Sequence, residues 1–299
     1  MKYSIIIPVY NDRHITLCLN SLAQLHGGLD YEVIVVENGL TDWIQPLVVD
    51  LGFRYVQEPI TGSYQARNKG IAVASGDVLV FTDSDCEVTP NWLQRIDQTL
   101  ADDRIAGVMG FSAGAPSTRV AALEQLMYEA NIANFTTEHD LKRVDTRNLA
   151  IRRSVIQRIG SFHAAFQYGG DMEFGARAHA AGFRVVYDDQ LIVVHHNVKH
   201  LNPLLLKRVR QNYGNMTIVQ LHDREFISTY FPHLLRYQAS LSSRWLYVWY
   251  KGIVGIGCHV SDVIIKLLPI RLGYFYFKMM NVLAMRLGQL SFVLGKTVW

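Results

Sequence analysis

The sequence predicts an α/β fold: a doubly wound, mostly parallel sheet followed by a helical C-terminal extension. Three observations carry this. Short apolar runs rich in β-branched residues alternate with helical patterns through the first eighty residues. Those runs are apolar at nearly every position, as strands covered on both faces are. After Pro203 the strand-like runs stop, and long basic, aromatic stretches with helical texture take over.

The elements follow in order. Residues 3–7, 31–36, 53–56 and 78–82 read as strands, and 12–24, 41–51 and 63–74 as the helices between them, with Gly76 as a stop before the fourth strand. In such a β-α-β-α-β-α-β order ligands sit beyond the carboxyl ends of the strands. That singles out 8–12, 37–42, 58–62 and 83–87. Residues 105–111 read as a strand, 117–134 as a long helix, 145–151 as a strand and 152–159 as a helix. Gly169-Gly170 opens a helix over 171–180 that Gly182 stops, and 183–187 and 191–194 read as two short strands closing on His195-His196. Helices are expected over 204–220, 245–251, 253–268 and 274–294.

Composition bounds the function. With 299 residues, 49% hydrophobic and 18% charged, the chain has ample material for a core. The net charge of +3 hides an asymmetry: residues 201–299 hold twelve Lys and Arg against Asp223, Glu225 and Asp262, so the tail is strongly basic and the first 200 residues are acidic. A basic tail either solvates its own helices or faces something anionic. The stretch 253–268 is too short for a membrane span and contains Asp262 and Lys266, so interfacial contact and packing on the domain both stay open. Three separated cysteines (Cys18, Cys86, Cys258) suggest a reducing compartment, and the N-terminus lacks a signal-peptide pattern. The expected location is cytoplasmic, with contact at the inner face of the cell membrane left open.

The chemistry concentrates at Val78-Leu79-Val80-Phe81-Thr82-Asp83-Ser84-Asp85. A buried strand delivers two carboxylates two residues apart. In an extended chain both would point to one side and repel unless a cation joins them. Mg²⁺ or Mn²⁺, completed by diphosphate oxygens and water, suits such hard ligands. The alternative is a solvated turn at the strand end.

In context the sequence resembles glycosyltransferase family 2, inverting enzymes with the GT-A fold. The resemblance rests on Ser4-Ile5-Ile6-Ile7-Pro8-Val9-Tyr10-Asn11, Val35-Val36-Glu37-Asn38-Gly39-Leu40-Thr41-Asp42 and Gly62-Ser63-Tyr64-Gln65-Ala66-Arg67-Asn68-Lys69-Gly70. It continues through Asp83-Ser84-Asp85, Asn148-Leu149-Ala150-Ile151-Arg152-Arg153 and Gly169-Gly170-Asp171-Met172-Glu173-Phe174. It implies a catalytic domain over 1–202, nucleotide-binding over 1–111 and acceptor-binding over 112–202; the basic helical extension over 203–299 lies beyond it, with peripheral membrane contact and packing on the domain both open.

The resemblance also implies roles. Pro8, Tyr10 and Glu37 would line the nucleoside pocket. Most relatives carry Asp at the Glu37 position and Ser at that of Leu40. Arg67 would lie against the base or diphosphate, Asp83 would contact ribose or sugar, and Asp85 would bind the metal. His195 is expected as a further metal or diphosphate ligand, and Asn148 and Gly170 near donor sugar or acceptor; Trp92, near the start of the helix after the triplet, would either flank the donor sugar or, the favoured reading, pack in the core. Asp171 is the expected base, taking the acceptor hydroxyl's proton as the diphosphate departs. By position alone it could equally be an N-cap. The expected donor is a nucleotide-diphosphate sugar, UDP-linked by preference, and the acceptor a saccharide or lipid-linked hydroxyl.

Other classes fit less well. A dinucleotide-binding oxidoreductase needs Gly-x-Gly-x-x-Gly after the first strand, where this chain has Pro8-Val9-Tyr10-Asn11-Asp12. No nucleic-acid recognition motif accompanies the basic tail. The remaining rival is a catalytically inactive sugar- or nucleotide-binding module of the same fold.

Overall fold

The computed structural model describes residues 1–115, 117–135, 140–238, 251–254 and 270–294. The helices expected over 245–251 and 253–268 therefore lie largely outside the described residues, as do parts of the loops at 116 and 136–139.

The described chain forms two compact units. The first comprises Met1–Ala115, Asn131–Phe166 and Gly170–His196 apart from 136–139, and the second takes the described residues of 116–130, 167–169 and 197–299. The first unit holds an eight-stranded sheet of order β3-β2-β1-β4-β7-β6-β8-β5. Its strands are β1 (Lys2–Val9), β2 (Asp30–Glu37), β3 (Arg54–Gln57), β4 (Val78–Thr82), β5 (Cys86–Val88), β6 (Gly107–Gly114), β7 (Asn148–Arg152) and β8 (Val185–His195).

The sheet is mixed. The β1–β2, β2–β3, β1–β4 and β6–β8 pairs are parallel, whereas β7 runs antiparallel to β4 and β6, and β5 antiparallel to β8. Helices α1 (Ile15–Ala23), α2 (Ile44–Asp50) and α3 (Ser63–Val73) link the first four strands, and α4 (Trp92–Thr99) follows β5. Ile5, Ile7, Val33, Val35, Val78 and Val80 pack with Ile15, Leu19 and Leu22 of α1 and Trp92, Leu93 and Ile96 of α4. Ile34, Val36 and Ala66 form a separate cluster on the other side. Both faces are covered, which is why these strands read as unbroken apolar runs. On that second side α3 lies close enough to β1 that a Cβ on Gly70 would sit 2.4 Å from an Ile6 methyl carbon.

Two departures from the expected elements matter for the site. The segments 183–187 and 191–194 belong to one strand, β8, interrupted by a bulge: Gly110 pairs with Asp188 and Phe111 with Ile192, so Asp189, Gln190 and Leu191 fall out of register. The bulge produces the polar gap that resembles a loop in sequence. The three-residue β5, too short to show periodicity, pairs Cys86 with His195 and so brings the chain after β4 against the end of β8.

The rest of the first unit includes α6 (Arg153–Ile159) and α7 (Gly170–Ala180); α5 (Arg119–Phe135) is shared between the units. The second unit is helical: α8 (Leu201–Leu221), α9 (Arg224–Tyr230), a 3-10 turn (Pro232–Gln238) and α10 (Ile270–Val293). Val120, Leu201, Leu204, Leu205, Val209, Phe277, Met280, Ala284 and Leu287 make its core. Asp223 caps α9 by accepting from the Phe226 amide at 2.8 Å. Among the described residues no helix is long and apolar enough to cross a membrane.

Candidate active site

The acidic triplet is not an extension of β4. The strand ends at Thr82, and the chain turns at once, with the Cys86 amide donating to the Asp83 carbonyl at 3.1 Å. The extended geometry expected for Asp83 and Asp85 gives way to a turn, and the two carboxylates acquire different partners. Asp83 accepts from the Arg67 guanidinium, itself buried on α3. Asp85 faces His195 Nε2 at 3.3 Å, held there by the β5–β8 pairing and by the His196 amide, which donates to the Asp85 carbonyl at 2.8 Å. Ser84 Oγ donates to Asp12 at 2.8 Å, tying the turn to the loop after β1.

Asp171 stands in the first turn of α7. Gly169, at φ +77°, turns the chain into the helix, and Gly170 permits a close approach: a Cβ there would lie 2.9 Å from Phe166 Cβ and 3.0 Å from the Tyr64 ring. Tyr64 hydroxyl donates to Asp171 Oδ1 at 2.9 Å, the Met172 amide to the same oxygen at 2.9 Å, and the Thr146 amide reaches Oδ2 at 3.5 Å. Burial pushes the Asp171 carboxyl up to about 6, the negative charge of Asp145 adds to that, and the Tyr64 hydrogen bond opposes it. Asp83 is also raised, by burial against the opposing charge of Arg67, with Asp85 and Asp145 pushing the same way as burial. Asp145 thus acts on both Asp83 and Asp171, and is itself clasped by Arg147 at 2.5 Å. Arg67 likewise acts on both Asp83 and Asp171, and Asp85 and Arg147 act on Asp83.

On the nucleoside side, Tyr10, Leu40 and Ile60 stand 64%, 87% and 61% exposed after the ends of β1, β2 and β3. A Cβ on Gly39 would lie 3.6 Å from the Tyr10 ring, so that ring leans on the loop after β2. Asn38 joins this loop to the one after β3, donating to the Glu58 and Ile60 carbonyls and accepting from the Gly62 amide. Pro8 is buried within β1 opposite Val36.

Glu37 and Asn148 are placed differently from expectation, and Trp92 takes its core-packing alternative. Glu37 is fully buried and its carboxylate is occupied: Oε1 accepts from the Thr41 amide (2.9 Å) and hydroxyl (2.6 Å), and Oε2 from the Tyr55 hydroxyl (2.6 Å). It holds the 38–42 loop from beneath instead of presenting a free carboxylate. Trp92 and Asn148 are core residues: the indole Nε1 donates to Asn148 Oδ1 at 2.9 Å, and Asn148 Nδ2 donates to the carbonyls of Leu191 (2.7 Å) and Phe111 (3.1 Å). Leu191 lies in the β8 bulge, so Asn148 satisfies a carbonyl that the ladder leaves out.

Tyr64, Asp145 and Arg147 belong to the site without having been singled out in the sequence. Tyr64 lay inside a recognised block. Nothing in its spacing pairs it with Asp171, 107 residues away.

A divalent cation is compatible with the residues present. Among the described residues no group of three or more His, Cys, Asp or Glu side chains is arranged to hold one. Asp85 and His195 offer one carboxylate and one imidazole in contact, a donor pair suited to Mn²⁺ or Mg²⁺ when diphosphate oxygens and water complete the shell.

The chain is similar to several known proteins. AglE, a glycosyltransferase of Haloferax volcanii, is 29% identical over 232 residues, covering 73% of this chain and 74% of that protein. The mannosyltransferase PcManGT from Pyrobaculum calidifontis, solved with GDP-Man and Mn2+, superposes with a TM-score of 0.66 at 16% identity over 99% of this chain and 88% of its own. Residues 1–349 of Staphylococcus aureus TarS, solved with UDP, give 0.56 at 16% identity over 99% and 92%. At these identities the superpositions show a common fold, the GT-A fold. The pattern described as glycosyl transferase family 2 matches residues 4–160, from β1 through the acidic turn to just past α6. With more than half its length matched, and with this fold, the chain belongs to glycosyl transferase family 2.

Proposed function

We propose that this glycosyltransferase works with inversion, moving a sugar from a nucleotide-diphosphate donor, UDP-linked by preference, to a hydroxyl of a saccharide or lipid-linked acceptor. The observation that carries the reading is Asp171: a carboxylate raised to about 6, oriented by Tyr64, that shares the influence of Asp145 and Arg67 with Asp83 of the acidic triplet. A base poised near the working pH is still ionised at neutrality, yet takes a proton more readily than an ordinary aspartate.

In this mechanism Asp171 accepts the proton of the acceptor hydroxyl. The freed oxygen lone pair forms a bond to the anomeric carbon as the bond from that carbon to the diphosphate oxygen breaks, and the bonding electrons leave with the diphosphate. Attack opposite the leaving group inverts the anomeric centre. Asp85 and His195 would hold the divalent cation, which when bound supplies positive charge to the leaving diphosphate. Asp83, braced by Arg67, would meet the ribose or donor sugar. Tyr10, Leu40 and Ile60 offer apolar surface for the base, with Pro8 shaping the floor and Glu37 fixing the 38–42 loop. TarS, solved with UDP, favours the UDP assignment; PcManGT, solved with GDP-Man, makes GDP the natural competitor. The basic tail supports peripheral contact with the cytoplasmic face of a membrane.

A panel of nucleotide sugars tests the reading, with release of nucleoside diphosphate followed with and without Mn²⁺. Expected is metal-dependent turnover with a UDP-sugar, abolished in Asp85→Ala. Tight GDP binding with none for UDP would overturn the donor preference. Nucleotide binding without turnover of any donor would favour the inactive binding module.

A further inference from the structure

We infer that the outer face of α10 is a docking surface for an anionic lipid bilayer. The inference rests on the interfacial reading of the tail and is independent of the catalytic one.

The inner face of α10 is spoken for: Phe277, Met280, Ala284 and Leu287 are buried in the core of the helical unit with Leu201, Leu204, Leu205 and Val209. On the other side Leu272, Phe275, Met279 and Val282 are exposed, Phe275 at 69%, and past Arg286 and the buried Leu290, Val293 is exposed again near the helix end. At about 100° per residue these five positions fall within an arc of roughly 80°. The exposed apolar run from Leu272 to Val282 is about 15 Å long at a rise of about 1.5 Å per residue. An apolar row of this length facing water marks an interaction site.

Charge selects the occupant. The 24 residues of α10 include no Asp or Glu, and three cations: Arg271, Lys278 and Arg286. Lys278 and Arg286 are exposed, Arg286 within the apolar arc and Lys278 at its edge. The whole of 201–299 carries only three acids. An anionic bilayer offers negative headgroups beside hydrocarbon, matching an apolar stripe with basic flanks along its whole length. The cations along the helix and its buried inner face are incompatible with crossing, so α10 would lie in the plane of the interface.

The test is flotation of the full chain with phosphatidylcholine vesicles, with and without phosphatidylglycerol. Flotation with the anionic vesicles is expected. Partitioning should fall at least tenfold in a Phe275→Glu, Val282→Glu variant, and by roughly fivefold per charge in Lys278→Ala, Arg286→Ala. These positions are exposed, so Tm, nucleotide binding and turnover of a soluble acceptor should stay unchanged; should the first variant not fold, the second still decides. Sedimentation of wild type with either vesicle, equal flotation of wild type and both variants, or equal binding to neutral vesicles would overturn the assignment. So would a vesicle-independent dimer lost in the Phe275→Glu, Val282→Glu variant, which would give the face to a second copy of the chain.

Discussion

Asp171 is held between opposing influences: burial and the charge of Asp145 favour its neutral form, while Tyr64 and the Met172 amide favour the ionised one. Replacing Tyr64 by Phe removes one of the latter. The carboxyl should rise further, so the acidic limb of the kcat profile, expected near pH 6, should move to higher pH while donor KM stays nearly constant. An unmoved limb would detach Tyr64 from the base. On the proposed mechanism Asp171→Asn removes the proton acceptor, and kcat should fall about 10²- to 10⁴-fold. The same substitution makes a stability prediction with a definite sign. A carboxyl raised on folding stabilises the native state below its unfolded value near 4, and that contribution is lost as pH rises through about 6. At pH 7.5 Asp171→Asn should therefore be more stable than wild type, by about 1–2 kcal/mol after discounting for partial exposure. At pH 4 the two should melt together. Thermal scans at the two pH values check this, and equal Tm differences at both would refute it.

At the scale of the elements, β5 and the β8 bulge do the positioning. The carboxyl ends of β1, β2 and β4 were legible because buried parallel strands leave unbroken apolar runs, and Asp83, Asp85 and Asp171 were legible because they sit in recognisable blocks at element ends. β5, with three residues, has no period to read, and the bulge at 189–191 mimics a loop. The same bulge gives Asn148 its role: a polar side chain at the start of β7 resembles a site residue in sequence until the carbonyl of Leu191 is found against it. Asn148→Ala removes the acceptor of the Trp92 N–H and the donor to the Leu191 carbonyl in the core. The expected cost is about 2–4 kcal/mol, a Tm loss of roughly 5–15 °C, with donor KM unchanged at a permissive temperature. A raised donor KM with an unchanged Tm would return Asn148 to the sugar site.

On the scale of the whole molecule, sequence texture changes once, near Pro203, but the compact units do not divide the chain there. The helical unit takes 197–202 and also two short stretches from earlier in the chain, the first part of α5 and residues 167–169. Val120 of α5 packs with Leu201, Leu204 and Phe277. Tyr168 is gripped by α8: Arg210 donates to its hydroxyl at 2.9 Å, with the guanidinium centre 5.5 Å from the ring centroid. Both stretches precede functional segments in the chain, and Tyr168 comes three residues before Asp171. Such interleaving leaves no trace in local pattern, because each stretch is too short to announce its partner. Ending the chain at 202 would strip α8 and α10 from these stretches and expose Val120, Leu201 and Tyr168 to water. The shortened chain should melt at lower temperature, bind a hydrophobic dye, and lose kcat even on a soluble acceptor where no membrane is involved. Full kcat and an unchanged Tm would show that residues 1–202 stand alone, and that the tail serves only to place the enzyme.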